Sequence, residues 1–442
     1  MKSIGKLKIY DSKTIGKTRV GLGFECLDRE LFKPEYCYDL AAMTGVKLVR
    51  LNSGWVRTEK VRGVYDFSWL DDIVDNLSAR GMVPWFTVGY GNPIYMDDIM
   101  NETASGCVPL YYGDEVLEAW KNYLRELARH FKGRVTHFEI WNESDISVFW
   151  HPKKPSPEDY AKLISLSGEI IKAEHPDAKI GACTSQSRPD YIYRLLSNLK
   201  PEELDFYGPH NYDRFPERSI RAERIYMLIR MMKDMGFGKT DIWLGECGHA
   251  SWHPEGHSQC KEGGGSEHRQ AVWHLRRFFH DLADGLSYTS IFMVSDIRGK
   301  SYFQGKAEVK MPAAQGILDG VTYKPKKSHE TLSYAATALS GDCIACDPIA
   351  MVEKLSDDQV ITVSYTRNGY PVMAYWLATP VESEAVEGRC MIVNYPLVKI
   401  DDPVLIDMFT GEVFEIGESL ADLPIREYPI LFTDRKTFEI AE

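Results

Sequence analysis

Short apolar runs alternate with longer amphipathic segments along residues 18–340. The runs are rich in residues typical of strands, and the segments between them repeat their apolar residues with a helical period. Such alternation is typical of βα units, which build parallel sheets. Eight strands are predicted, near Val20–Phe24, Lys47–Leu51, Val83–Val88, His137–Trp141, Ile180–Cys183, Phe206–His210, Ile242–Gly245 and Tyr288–Val294.

The segments between these strands carry helix signals. Over Asp114–Phe131 the apolar residues fall on one helical face, and Ser156-Pro157 provides an N-cap followed by proline at the first helical position. The chain lacks the Gly-rich phosphate fingerprint of a doubly wound sheet. Eight successive alternations therefore predict an α/β fold of the (β/α)8 TIM-barrel type, with enlarged loops.

The pattern changes after residue 340. Strand-length pieces such as Val372–Leu377 follow one another, separated by turn signals such as Asn368-Gly369. This pattern predicts a small C-terminal antiparallel β-sandwich. We expect a barrel over 18–340, a sandwich domain over 341–442, and an N-terminal segment, 1–17, whose strand Ile4–Tyr10 pairs with the sandwich.

Composition narrows the class of protein and its partners. The net charge of −12 provides no basic surface for nucleic acid. No segment approaches the roughly 18 consecutive apolar residues of a membrane span, so no membrane partner is expected. The nine cysteines are an odd number spread over both halves, which is typical of reduced thiols, and the N-terminus lacks a signal-peptide pattern. These features predict a cytoplasmic protein, although a removed signal peptide would leave the same pattern.

Two carboxylates follow apolar strands at positions suited to catalysis. Glu143 ends the run His137–Glu143 at the fourth predicted strand, and Glu246 ends Asp241–Glu246 at the seventh. In TIM-barrel enzymes the active site lies at the C-terminal ends of the strands. We therefore expect Glu143 and Glu246 to face each other across the barrel mouth, with a solvated barrel-top position as the alternative for each.

These segments resemble glycoside hydrolase clan A, and within it family 39, which includes β-xylosidases. The resemblance covers roughly the barrel and is strongest from the fourth strand onward. The sequence departs from the family pattern at Ser144, at Gly245 and Cys247 on either side of Glu246, at Phe292, and at Leu51-Asn52-Ser53. The matching segments are Phe138–Glu143 with Phe149-Trp150, Asp205–Tyr212, Glu246, Ser295-Asp296, Gly316–Leu318 and Lys324-Pro325.

The resemblance implies a retaining glycoside hydrolase that works by double displacement through a covalent glycosyl-enzyme and uses no cofactor. Glu246 would be the nucleophile and Glu143 the acid/base. With a cytoplasmic location, the expected activity is that of an exo-acting β-glycosidase on a xyloside, glucoside, galactoside or mannoside. Its partner would be an oligosaccharide or glycoside substrate, and a homo-oligomer is plausible by resemblance.

Further residues are candidates for substrate binding. Asn142 suits the sugar 2-hydroxyl, Arg50 suits a position beside Glu246 that keeps it ionised, and His210 and Tyr212 suit the nucleophile or the glycone. Packing or surface ion pairs are the alternatives. Other candidates for sugar contacts are Glu25 after the first strand, Asp296 at the end of the eighth, and the loop tryptophans Trp55, Trp150 and Trp252.

The loop after the seventh strand concentrates residues able to bind zinc. Their spacing matches no standard finger, and the glycines at 263–265 favour a loop that covers the substrate over a rigid metal site. The metal candidates are Cys247, His249, His253, His257 and Cys260, with His268 further along.

Other functions remain open at this point. An endo-acting β-glycanase is the nearest alternative, and an open cleft would favour it. The His/Cys loop would also suit a metal-dependent barrel enzyme acting on free sugars, and a catalytically silent sugar-binding barrel is the third possibility.

Overall fold

The computed structural model describes residues 1–213, 215–217, 220–252, 265–297, 300–303, 307–310, 313–353, 359–380, 386–394, 398–417 and 419–441. Strand β1 (Lys2–Leu7) belongs to the C-terminal domain. The next eight strands form a closed parallel barrel, in which β9 pairs with β2 to complete the ring. They are β2 (Val20–Gly23), β3 (Leu48–Asn52), β4 (Val83–Val88), β5 (His137–Ile140), β6 (Lys179–Thr184), β7 (Phe206–Pro209), β8 (Asp241–Cys247) and β9 (Tyr288–Ile291).

All eight predicted strands are confirmed, and so is the TIM-barrel fold. An aromatic layer fills the barrel interior near the N-terminal ends of the strands, where Trp85 of β4 lies 5.4 Å from Trp243 of β8, between ring centroids. Phe206 and Tyr288 complete this layer. The barrel interior near the N-terminal ends of the strands is therefore filled by side chains, which leaves the C-terminal ends of the strands for an active site.

Helices surround the barrel. The predicted helix over 114–131 is observed with the same bounds, and Ser156 accepts a hydrogen bond from the Asp159 backbone N–H at 3.1 Å as the N-cap of α5. None of the described helices combines the length and the apolar character that a bilayer crossing requires. The helices are α1 (Tyr38–Met43), α2 (Trp55–Thr58), α3 (Ser68–Ala79), α4 (Asp114–Phe131), α5 (Pro157–Glu174), α6 (Pro189–Leu196), α7 (Ile220–Asp234), α8 (Glu267–Asp284) and α9 (Lys327–Ala338).

The remaining strands follow the barrel. A hairpin of β10 (Lys300–Phe303) and β11 (Ala307–Lys310) comes after β9. The C-terminal strands form an eight-stranded antiparallel sheet, in the order β12-β14-β15-β20-β17-β18-β1-β21, and a three-stranded sheet, β13-β16-β19. They are β12 (Cys343–Ala345), β13 (Ala350–Glu353), β14 (Val360–Arg367), β15 (Tyr370–Leu377), β16 (Glu387–Asn394), β17 (Pro403–Asp407), β18 (Glu412–Glu415), β19 (Leu423–Arg426), β20 (Ile430–Asp434) and β21 (Ile440–Ala441).

The two C-terminal sheets pack against each other as a sandwich. Met373 and Phe432 from the larger sheet share one buried apolar cluster with Ile392 and Ile425 from the smaller sheet. β1 lies between β18 and β21, so the first residues of the chain complete the domain formed by the last. Arg276 of α8 is fully buried and donates hydrogen bonds to backbone carbonyls of this domain, which joins it to the barrel.

Candidate active site

A cavity of about 760 Å³ opens at the C-terminal ends of the barrel strands. Its volume lies in the range of pockets that hold small-molecule ligands. The residues predicted at the barrel mouth converge here, which agrees with the general placement of active sites in this fold. The predicted residues that line the cavity are Glu25, Arg50, Asn142, Glu143, His210, Tyr212 and Glu246.

Glu143 and Glu246 meet across this cavity. One carboxylate oxygen of each lies within 4.8 Å of the other, and within the same distance of a ring nitrogen of His210. The Glu143 and Glu246 side chains are 13% and 14% exposed, so both are largely shielded but reachable from the cavity. Two carboxyl groups at this separation can act on opposite sides of a single bond.

The backbone at the end of β5 turns Glu143 into the cavity. Trp141 and Glu143 have positive φ angles of 69° and 41°, which residues other than glycine rarely adopt. Neighbouring groups hold this turn: the Trp141 indole N–H donates to the Phe149 carbonyl at 2.6 Å, and the Glu143 backbone N–H donates to Cys183 Sγ at 3.3 Å. Strained backbone of this kind persists only where the surroundings fix it, and it is frequent at functional sites.

Arg50 lies at the centre of the site and contacts four side chains. Its Nη1 lies 2.5 Å from Glu246 Oε2 and 3.3 Å from Glu25 Oε1. Its Nη2 lies 2.5 Å from Glu139 Oε1 and 2.9 Å from Asn142 Oδ1. The Arg50 side chain is 1% exposed, and the Glu246 carboxylate beside it supplies negative charge that a buried cation requires.

Glu246 is surrounded by groups that favour its charged form. Burial alone would raise the pKa of this carboxyl, but His210, Arg50 and the Tyr212 hydroxyl together hold the pKa of Glu246 below its ordinary value. Tyr212 donates its hydroxyl to Glu246 Oε1 at 2.6 Å. Glu246 is therefore ionised at neutral pH, as a carboxylate nucleophile must be.

Glu143 experiences the opposite effect. Burial raises its pKa above the ordinary value, the charge of Glu246 adds to the rise, and the 3.0 Å contact with His210 Nδ1 opposes it. Two neighbouring carboxyls with pKa values shifted in opposite directions are the arrangement by which enzymes separate an acid from a base. The site can thus supply a proton from Glu143 and a negative charge from Glu246.

Glu25 is a third carboxyl in the cavity. Burial raises its pKa to about 8, an effect that the charge of Arg50 opposes. With this pKa, Glu25 is neutral over much of the physiological pH range. The Glu25 side chain folds over Gly23, where a Cβ would lie 1.9 Å from Glu25 Oε2, so no larger residue fits at position 23.

The four other predicted contact residues do not line this cavity. Trp55 and Trp150 are fully buried; Trp55 stacks on Tyr123, and the Trp150 indole contacts the Tyr111 hydroxyl. The expectation that Trp55 and Trp150 form walls of a sugar subsite is wrong, because neither exposes a face. The packing alternative holds for both.

Trp252 and Asp296 form a hydrogen bond with each other. The Trp252 indole N–H donates to Asp296 Oδ2 at 2.8 Å. Asp296 Oδ1 also accepts from Lys326 Nζ at 2.6 Å and from the Gly316 backbone N–H at 2.9 Å. Asp296 is 1% exposed and so serves as a structural anchor for the end of the eighth barrel strand, which corrects the expected sugar contact.

The predicted metal candidates do not assemble in the described part of the chain. Cys247 is buried and contacts the Ser290 carbonyl, His249 contacts the Ala250 carbonyl, and His268 pairs with Glu427 at 2.9 Å. None of the three belongs to a described group of ligands close enough to share an ion. The other candidates, His253, His257 and Cys260, lie outside the described residues.

Two other groups of donors have metal-like spacing: Glu143, His210 and Glu246, and beneath them Glu139, Cys183 and His210. Arg50 contacts Glu246 and Glu139 with its guanidinium. A cation thus already lies between these two carboxyl groups, and the arrangement favours ion pairs over a bound metal ion.

Sequence reasoning missed several residues of the site. Glu139 is fully buried beneath the cavity, and its Oε1 also accepts a hydrogen bond from Thr87 at 2.9 Å. A charged residue in the middle of an apolar strand was the available signal. The cavity wall also includes Phe149 and Tyr90, whose rings stack with centroids 5.5 Å apart, and Gln315.

Comparison with known proteins finds similarity to glycoside hydrolases. The model of glycosyl hydrolases family 39 matches residues 33–233. A β-xylosidase from Geobacillus stearothermophilus is 23% identical over 171 residues, which are 35% of this chain and 32% of that protein. The match thus spans about a third of the length of this relative.

Solved structures share the fold over nearly the whole chain. A family 39 glycoside hydrolase from the gut symbiont Bacteroides cellulosilyticus WH2 superposes with a TM-score of 0.73 at 17% identity, covering 97% of this chain and 82% of that one. A family 39 β-xylosidase from Caulobacter crescentus superposes with a TM-score of 0.60 at 16% identity, covering 98% and 97%. The barrel and the β-rich domain are therefore common to these proteins.

Proposed function

We propose that the chain is a family 39-like member of glycoside hydrolase clan A and that it hydrolyses β-glycosides with retention of configuration. Glu246 is the nucleophile and Glu143 the acid/base. The observation that carries this proposal is that one oxygen of each carboxyl lies within 4.8 Å of an oxygen of the other, with the two pKa values shifted in opposite directions. Retaining enzymes place their carboxyl groups about 5 to 5.5 Å apart.

In the first step, a Glu246 oxygen attacks the anomeric carbon while the bond to the leaving oxygen breaks. Glu143 transfers its proton to that oxygen, so the aglycone leaves as a neutral alcohol. The products are a glycosyl ester on Glu246 and an ionised Glu143. Formation of the ester removes the charge of Glu246, which had raised the pKa of Glu143. The pKa of Glu143 therefore falls, and Glu143 stays ionised and can act as a base.

In the second step, Glu143 removes a proton from a water molecule whose oxygen attacks the anomeric carbon. The ester bond to Glu246 breaks and the carboxylate is released. Arg50 and Tyr212, which contact different oxygens of Glu246, stabilise that returning charge. Two inversions at one carbon give net retention.

Asn142 supports recognition of the glycone. Arg50 Nη2 holds its amide oxygen at 2.9 Å, which fixes the side chain and leaves the NH2 group as the available donor. A donor beside the nucleophile suits the 2-hydroxyl, a contact that strengthens in oxocarbenium-like transition states. No cofactor enters either step.

We further propose exo action, with β-xylosides as the first substrates to test. The similarity to two proteins named β-xylosidases supports this choice. β-Glucosides, β-galactosides and β-mannosides are the other candidate sugars, and endo action on a β-glycan is the alternative mode. Release of monosaccharide alone from a xylo-oligosaccharide supports exo action, whereas internal cleavage products support endo action.

Covalent trapping tests the mechanism directly. In an activated 2-deoxy-2-fluoro-β-xyloside the fluorine slows both steps and the activated leaving group keeps the first step fast, so the glycosyl-enzyme accumulates and intact mass should rise by one fluoroglycosyl unit per chain. Peptide mapping should place the added mass on Glu246, and Glu246→Gln should remain unlabelled. If the label lies on Glu143 or Glu25, the assignment of the nucleophile is wrong. In a separate comparison, the relative rates of labelling by the fluoro-glucosyl, -galactosyl and -mannosyl analogues identify the preferred sugar.

A further inference from the structure

Two buried polar atoms beneath the cavity have no hydrogen-bond partner among the described residues: Glu139 Oε2 and His210 Nε2. Both side chains are otherwise engaged. Glu139 uses its Oε1 to accept from Arg50 and Thr87, and His210 places Nδ1 3.0 Å from Glu143 Oε1. Buried polar groups are rarely left unpaired, so these two atoms require an explanation.

The two atoms border the same point, beside Gly245. A Cβ built on Gly245 would lie 3.4 Å from His210 Nε2 and 3.5 Å from Glu139 Oε2. A second glycine lies next to this point, since a Cβ on Gly208 would lie 3.5 Å from the same Glu139 oxygen. These are ordinary van der Waals distances, so no side chain of the described residues fills the position between Gly245 and the two polar atoms.

The polarity of the point also suits water. A carboxylate oxygen of Glu139, a ring nitrogen of His210 and the Cys183 sulfur all lie within 4.8 Å of one another. A buried water molecule needs two to four polar partners, and it can accept from an imidazole N–H while it donates to a carboxylate. A cation is disfavoured because Arg50 already contacts Glu139 at 2.5 Å.

We propose that a buried water molecule beside Gly245 bridges Glu139 Oε2 and His210 Nε2, and that Glu139 thereby acts as a positioning residue for the acid/base. His210 Nε2–H donates to the water, and the water donates to Glu139. The bridge fixes the imidazole ring so that Nδ1 remains directed at Glu143. This inference rests on the proposed role of Glu143.

The charges that face His210 agree with this arrangement. Glu143 and Glu246 approach Nδ1 at 3.0 and 3.7 Å, Glu139 and the Cys183 sulfur lie within 4.8 Å of a ring nitrogen, and Arg50 is the nearby positive group. Burial lowers the pKa of His210, but the charges of Glu246 and Glu143 raise it above the ordinary value. A ring that donates from both nitrogens is the form that these acceptors stabilise.

Two substitutions at Gly245 separate the bridge from simple packing. Gly245→Ala fills the point with a methyl group, which expels the water and leaves both polar atoms unpaired. Gly245→Ser fills it with a hydroxyl that can take the place of the water. We expect kcat/KM to fall about tenfold in Gly245→Ala, the effect of losing one buried hydrogen-bonded bridge, and to recover to within about threefold of wild type in Gly245→Ser.

The pH profile gives a readout that a purely structural effect would not move. Contact with His210 lowers the pKa of Glu143. Loosening the ring should raise the pKa of Glu143, so the alkaline limb of kcat/KM moves to higher pH in Gly245→Ala and returns in Gly245→Ser. Gly168→Ala on α5, where a Cβ meets Ile180 at an ordinary 3.4 Å, is the control and should keep the wild-type profile.

A high-resolution crystal structure of the wild-type protein tests the water without reference to activity. Density within hydrogen-bonding distance of both Glu139 Oε2 and His210 Nε2, and its loss in Gly245→Ala, would support the proposal. An empty point, a metal ion identified by anomalous scattering, or equal losses of activity in the alanine and serine variants would overturn it. Trapping on Glu246 is independent of this outcome, so a failed bridge leaves the proposed function intact.

Discussion

Arg50 and Glu246 form a buried ion pair across the barrel, with Nη1 of the arginine 2.5 Å from Oε2 of the glutamate. The arginine comes from β3 and the glutamate from β8, so the pair joins strands that are not neighbours in the ring. The same guanidinium contacts Glu139 and Asn142 of the β5 segment. One cation thus links the segments that carry the two proposed catalytic glutamates, so the stability of the barrel mouth and the proposed chemistry depend on the same contacts.

Removal of Arg50 should therefore affect both stability and pH dependence. Arg50→Met leaves buried carboxylates without their cation, and breaking a buried pair on one side costs about 3–5 kcal/mol. Because Arg50 helps to keep the folded-state pKa of Glu246 low, its contribution is present above the unfolded-state pKa of a glutamate and is lost as pH falls. Denaturant unfolding should show a large difference from wild type at pH 7 and a smaller one near pH 4.

Arg50→Lys is the matched control, since it keeps the charge but loses the fork that reaches several oxygens at once. It should unfold at intermediate denaturant concentrations. Equal stability of the methionine variant and wild type at pH 7 would contradict a structural role for the ion pair.

Glu246→Ala should lose turnover of an aryl β-glycoside by at least about 1,000-fold, because the covalent route is removed. Azide, which fits in place of the carboxylate, should restore activity and give a glycosyl azide of inverted configuration, identified by NMR. Undiminished activity would show that Glu246 is not the nucleophile.

Glu143→Ala should respond differently to the leaving group and to pH. Loss of the acid should slow substrates with alkyl leaving groups by about 100-fold or more, while an activated dinitrophenyl glycoside, which needs no proton, should still form the glycosyl-enzyme. Azide should then give a product of retained configuration.

The pH dependence gives a second test of Glu143. In the wild-type protein kcat/KM should fall as pH rises through the raised pKa of Glu143, and this alkaline limb should be absent from the variant with the activated substrate.

The stability of the protein should also report the protonation of Glu25. Its folded-state pKa of about 8 lies above the ordinary value, so this group stabilises the fold fully at low pH and progressively less as pH rises toward 8. Glu25→Gln removes that dependence. We expect the variant to match wild type near pH 4 and to exceed it by roughly 4 kcal/mol at pH 8 in denaturant unfolding. A constant difference at both pH values would mean that Glu25 is not buried as a neutral acid.

The sequence predicts the barrel because each strand is a separate apolar run and each helix has its own period and caps. It also predicts that Glu143 and Glu246 meet, because the C-terminal ends of parallel strands in a closed barrel converge on one face. Both inferences need only positions along strands. They require no knowledge of how any individual side chain packs.

The predictions that failed are those for which side-chain packing decides the outcome. Trp55 begins the short helix α2 and Trp150 follows β5, both at the expected end of the barrel, but residue type does not reveal whether a tryptophan there faces the cavity or the core. Asp296 resembled a site residue, yet its partner Lys326 follows 30 positions later and no spacing rule links the two. Glu139 was missed because its role depends on Arg50, which approaches it from a strand 89 positions earlier.

The contrast between Phe149 and Trp150 gives a last prediction about which aromatic residue contacts the sugar. Phe149 lines the cavity and stacks on Tyr90, whereas Trp150 is fully buried. Phe149→Ala should raise KM about tenfold with little change in stability, because an apolar wall of the cavity is removed. Trp150→Leu should lower the free energy of unfolding by about 2–4 kcal/mol through a core cavity, with KM for the folded fraction near wild type. Steady-state kinetics and denaturant unfolding on both variants separate the two roles, and a raised KM confined to Trp150→Leu would place the sugar against the tryptophan.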